Sequence, residues 1–99
     1  MEDKSKKINL ICEKRLDKYF SITEKALDLA KKNINPKKKQ EAKEILEMAT
    51  CYLSDAKYFR TQGHYVNSFA AINYVHGWLD TGSKLGIFNV KDNKLFVIK

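Results

Sequence analysis

The side chains best equipped for chemistry in this sequence are Cys51, Asp55, His76 and Asp80. A thiolate activated by an imidazole is a nucleophile, and the same two groups begin a zinc site. Two carboxylates set in an apolar region must find hydrogen-bond partners or shift their protonation equilibria. If the second and third helices pair about a turn near His64, Cys51 lies level with His76, and Asp55 with Ile72. Tyr52, Asp55, Asn73, His76 and Asp80 would then line a small polar pocket between those helices. Packing explains the same residues more economically. A buried cysteine usually behaves as a small hydrophobe. A buried acid usually meets a Tyr hydroxyl, the Trp78 indole N–H or a backbone group. A structural zinc wants four ligands, and the chain has no CxxC or HxxxH spacing, so neither metal nor cofactor is expected. No catalytic residue is assigned.

Arg60 and His64 could suggest a small helical ribonuclease, but only three residues separate them and they flank an inter-helix turn. The stretch Tyr74-Val75-His76-Gly77-Trp78-Leu79-Asp80-Thr81-Gly82 concentrates the rarer residue types. Each glycine inside a helix costs about 1 kcal/mol relative to alanine, so Gly77 and Gly82 imply close approach of another helix, a bulky ring or a subunit.

The elements that must position these residues follow from apolar spacing. Steps of three and four from Ile8 through Leu16, Tyr19, Phe20, Thr23, Ala26, Leu27 and Ala30 describe one face of a first helix, about 5–33. Asn35-Pro36, an N-cap followed by the only proline, opens a second helix, about 36–62. Its inward face is Ala42, Ile45, Leu46, Ala49, Tyr52, Leu53, Ala56 and Phe59. Gly63 stops it. The third helix, about 65–84, carries no Asp, Glu, Lys or Arg between Arg60 and Asp80. Its apolar residues spread round most of the circumference, which predicts a central helix or one facing a partner subunit. Two β-rich runs about an Asp-Asn turn predict a hairpin, about 87–98, which must pack on the helices or add to another chain. The fold class is mainly α: an antiparallel three-helix bundle with a short C-terminal β-hairpin, in one domain.

Composition bounds the function. Ninety-nine residues with 43% hydrophobic and 31% charged content make one globular domain. No apolar run is long enough to span a membrane, and no signal peptide is expected, so a cytoplasmic protein is the default. Cys12 and Cys51 sit at a seven-residue offset in a hairpin turning near Asn35, roughly 10 Å at about 1.5 Å per residue. That exceeds disulfide reach and predicts two buried free thiols. The net charge of +7 comes from 17 Lys and only two Arg, Arg15 and Arg60. Arginine supplies the bidentate contacts of nucleic-acid recognition, and lysine-rich composition also marks high-temperature proteins. A basic tip of Lys31, Lys32, Lys37, Lys38 and Lys39 could meet RNA or an acidic partner. Lys37 to Lys39 stand at a helix N-terminus, where positive charge is unfavourable, which hints at a use.

Ala49, Tyr52, Asp55-Ala56, Tyr58-Phe59, Gly63, Tyr65, Tyr74 to Asp80, Gly82 and Leu85 to Phe88 together resemble an archaeal family of small helical proteins, catalogued as domain of unknown function 357. The likeness covers about 40 residues closely. It departs at His64, where the family commonly has an acidic residue, and at Thr81, where alanine is usual. The resemblance implies a mostly helical fold and an archaeal cytoplasm, and no activity. The function expected is a non-enzymatic interaction module that self-associates or binds a protein partner. Nucleic-acid association through the basic tip and a small-ligand or catalytic pocket around His76 and Asp80 are the alternatives.

Overall fold

A computed structural model describes residues 12–90. Helix α1 spans Glu13–Lys32, a single 3₁₀ turn covers Pro36–Lys38, α2 spans Lys39–Thr61 and α3 spans Tyr65–Lys84. The stretch of the first helix expected over 5–11 lies outside the described residues.

The junctions form where their residues dictate. Asn35 is extended, and its Oδ1 accepts the Lys37 N–H at 3.0 Å while Pro36 takes the first helical position. The Pro36–Lys38 turn is 3₁₀, and the α-helix proper starts at Lys39. Gly63 ends α2 with φ of +78°, a backbone conformation that side chains with a Cβ rarely adopt. Gly86, at φ +75°, does the same after α3 and turns the chain back across the α1–α2 connection.

Helix α3 packs along both other helices, while α1 and α2 approach each other sparingly. Tyr52 meets Tyr74 and the Ser68 hydroxyl reaches Ala56, so α2 and α3 run antiparallel. Tyr19 meets Phe69 and Thr23 meets His76, so α1 and α3 run parallel. The central position expected for α3 is therefore what the chain adopts. The core is built from Leu16, Phe20, Ala26, Leu27 and Ala30 of α1, with Ala42, Ile45, Ala49, Leu53 and Ala56 of α2. Helix α3 adds Ile72, Val75 and Leu79. Three alanines on the α2 stripe have no exposure, which lets the helix backbones come close.

Three expectations need correction. First, α3 is not buried all round. Val66, Ala70 and Tyr74 are exposed, because a helix with two neighbours is covered on two flanks only. Tyr52, expected inward on α2, is exposed for the same reason. Second, both cysteines are free and exposed rather than buried. Cys51 lies two residues from both Ala49 and Leu53, about 200° round the helix from each, and so on the side away from the core. Cys12 precedes the first residue of α1, short of its buried stripe. The Asp17–Arg60 and Glu24–Lys57 pairs set the α1–α2 register, and place Cys51 level with about Asp28. That is sixteen residues from Cys12, or about 24 Å, well beyond disulfide reach.

Third, no strand forms among the described residues. The run Ile87–Val90 pairs with the α1–α2 connection through an antiparallel bridge between Ile34 and Phe88. The Asn35 N–H donates to the Ile87 carbonyl at 2.9 Å, and the Asn89 N–H to the Asn33 carbonyl at 2.6 Å. Those bonds satisfy backbone groups that the expected hairpin would have used. The second run of that hairpin, 95–98, lies outside the described residues.

Candidate functional site

His76 sits on the α1 side of α3. Its Nδ1 is 3.0 Å from Thr23 Oγ1, and its Nε2 is 3.7 Å from Asp80 Oδ1, one helical turn on. With the proton on Nε2, facing the carboxylate, Nδ1 accepts the Thr23 hydroxyl. Hydroxyl, imidazole and carboxylate then stand in the order of a hydrolase triad. The burial argues against that chemistry: Thr23 is 1% exposed, so no acyl carbon can reach its oxygen. The three groups fasten α1 to α3. Asp80, half-buried, meets the His76 imidazole.

The remaining pocket candidates separate. Cys51 is level with His76 along the helices, as the turn predicted, but opens with Ile34, Pro36 and Leu46 into a groove that no α3 residue lines. Asp55 is exposed and shares a shallow groove with Tyr52, Phe59, Asn67, Ala70 and Tyr74 on the outer α2–α3 seam. Asn73 is also exposed and lines a third groove, with Tyr74, Gly77, Trp78 and Thr81. Neither of the last two grooves includes His76 or Asp80. Among the described residues, no three His, Cys, Asp or Glu side chains group as a metal site would require.

What those two grooves share is one continuous face. The rings of Tyr52 and Tyr74 meet edge-on at 4.7 Å, and those of Tyr74 and Trp78 at 6.3 Å. Beside this aromatic row run Val66, Ala70, Asn73, Gly77 and Thr81, all exposed. Among the described residues nothing comes within 4 Å of a Cβ built on Gly77. No helix among the described residues takes the place beside this glycine. Gly82 is the opposite case. The Phe88 ring lies where its Cβ would be, a ring compensating for the missing side chain.

At the basic tip, Lys31, Lys37 and Lys39 are exposed and Lys38 is half-buried. Lys32 pairs with Asp28 at 3.0 Å in the expected acid-then-base order. The other four make no ion pair with a described acidic residue.

Several fastenings escape sequence reasoning. Ser68 is fully buried and donates to the Ala56 carbonyl at 2.8 Å, pinning α3 to α2. Arg60 pairs with Asp17 and stands 5.4 Å over the Phe20 ring. Lys57 pairs with Glu24 at 3.1 Å. The available signal was Thr23 and Ser68, hydroxyls placed on otherwise apolar stripes.

The fold and this face together define a small all-helical domain whose polar groups fasten helices and whose exposed aromatic surface carries no charged side chain from α3, with Asp55 of α2 at its edge. A family model described as a protein of unknown function (DUF357) matches residues 18–88, and the chain belongs to that family. No curated protein and no solved structure matches it. Among the described residues, no helix is long and apolar enough to cross a membrane.

Proposed function

We propose that the protein is a non-enzymatic interaction module that self-associates through the outer face of α3. The observation that carries this reading is the outer face of α3, exposed at Val66, Ala70, Asn73, Tyr74 and Gly77 on a helix with no Asp, Glu, Lys or Arg before Asp80, with an open glycine on it. Gly77 costs α3 about 1 kcal/mol relative to alanine. No described side chain or backbone group uses the room it leaves, so a second copy laying its own α3 across Gly77 supplies the reason. Tyrosine and tryptophan are the residues that interfaces enrich, and Tyr52, Tyr74 and Trp78 flank the glycine side of this helix. Sedimentation velocity at micromolar concentration tests the reading. A dimer that Gly77→Glu converts to monomer supports it; a wild-type chain that sediments only as monomer overturns it.

The unpaired lysines favour a second reading, association of the basic tip with RNA phosphates. It predicts salt-sensitive binding lost when Lys37, Lys38 and Lys39 become Glu. Absence of any mobility shift with RNA at low salt removes it.

A further inference from the structure

Along α2, away from its seam with α3, runs a groove of about 870 Å³ that no α3 residue lines. That volume is ordinary for a small-molecule site, as is an apolar lining with a few polar groups at its edge. Ile34, Pro36 and Leu46 supply the apolar lining, and the charges are sorted along the groove. Lys39 and Lys43 stand at the Pro36 end, and Glu47 stands one turn further on, toward Cys51. All three are exposed, and none makes an ion pair with a described residue. Lys39 is also the first residue of α2, so the positive end of the helix macrodipole lies at the lysine end.

We propose that this groove binds the free anion of a long-chain aliphatic acid, with the carboxylate between Lys39 and Lys43 and the hydrocarbon running past Leu46 to Cys51. Charge sets the direction. The lysines and the helix N-terminus attract the carboxylate, and Glu47 repels it from the far end. Length sets the ligand class. Lys39 and Cys51 are about 18 Å apart along the helix, at about 1.5 Å per residue. An extended polypeptide advances about 3.5 Å in three bonds, so an extended chain of roughly fifteen carbons covers that distance. The lysine stems add methylene surface to the groove wall while their ammonium groups stay in water. A carboxylate bound there also offsets the unfavourable positive charge at the start of α2. The groove shares no residue with the self-association face, and the two readings stand or fall separately.

Cys51 is exposed and lies in the groove wall at the hydrocarbon end, so its reactivity reads occupancy. In the full chain carrying Cys12→Ser, alkylation of Cys51 by iodoacetamide, a neutral reagent, is timed with and without myristate below its critical micelle concentration. The expected result is a reaction slowed at least about fivefold, as the thiol is covered. Tetradecyltrimethylammonium, with the same chain and the opposite charge, should give little protection. Decanoate, four methylenes shorter, should bind about tenfold more weakly in calorimetric titration, at about a factor of two for each half-buried methylene. Lys43→Glu replaces an attraction by a repulsion at an exposed site and should weaken myristate at least about fivefold. If that variant changes its circular dichroism, the chain-length and opposite-charge comparisons on the unaltered groove decide. No protection by myristate, equal protection by the cationic amphiphile, affinity independent of chain length, full affinity in a folded Lys43→Glu variant, or protection seen only with phosphatidylglycerol vesicles overturns the proposal.

Discussion

Ser68 has no exposure, and its hydroxyl donates to the Ala56 carbonyl at 2.8 Å across the α2–α3 seam. That carbonyl keeps its place in α2 whatever happens to the serine, so deleting the hydroxyl removes one bond and strands little. Ser68→Ala should cost about 1 kcal/mol. Ser68→Val adds volume opposite Ala56, which also has no exposure, and should cost about 1–3 kcal/mol from overpacking. Urea denaturation of the two variants checks this. A valine variant as stable as the alanine variant would mean the seam has slack. Thr23 and His76 are of the same kind on the other flank. Their polarity serves a helix contact, and the same burial that holds them keeps substrate out.

Within α3, two glycines five residues apart have opposite surroundings. A Cβ on Gly82 would collide with the Phe88 ring, itself 1% exposed, and also approach Ile45 at 3.4 Å. Gly82→Ala should therefore lower stability by about 1–3 kcal/mol, despite alanine's better helix propensity. A Cβ on Gly77 meets nothing described. Gly77→Ala, measured at concentrations dilute enough for monomer, should raise stability by up to about 1 kcal/mol. Thermal melts of the pair decide it: shifts of the same sign would contradict the contrast between a packed Gly82 and an open Gly77. A stabilised monomer that also associates less would connect Gly77 to the self-association reading.

Across the whole molecule, the two ends of the α1–α2 hairpin are held by different means. At the open end, α1 and α2 are joined by Asp17–Arg60 and Glu24–Lys57, partly or largely exposed pairs that contribute at most about 1 kcal/mol each. At the closed end, Asn35 joins three segments. It accepts the Lys37 N–H, and its Nδ2 donates to the Gly86 carbonyl at 2.8 Å. Asn35→Ala removes both bonds and should cost about 2 kcal/mol; Asn35→Asp keeps the cap and should cost about half of that. Chemical unfolding of both variants measures the difference. Equal losses would mean that the link to Gly86 contributes nothing.

The order of helices, the Asn35-Pro36 start, the Gly63 stop and the span of α3 were all legible from local spacing. Each is set by residues within one turn of it: a cap, a proline ring, a glycine free to take positive φ, a period of 3.6. The buried stripes of α1 and α2 were legible for the same reason, apart from the two cysteines and Tyr52. The candidate site was legible only as a group of residues. Periodicity places His76 level with Cys51, yet whether two level side chains face each other depends on the rotation of each helix, which its neighbours determine. The tertiary structure turned His76 toward Thr23, left Cys51 and Asp55 in solvent, and set the Ile87–Val90 run against Ile34. Local steric rules act within a few residues and can be read along the chain. Contacts between residues 53 or 54 positions apart, such as Thr23 with His76 or Ile34 with Phe88, exist only once three helices have packed.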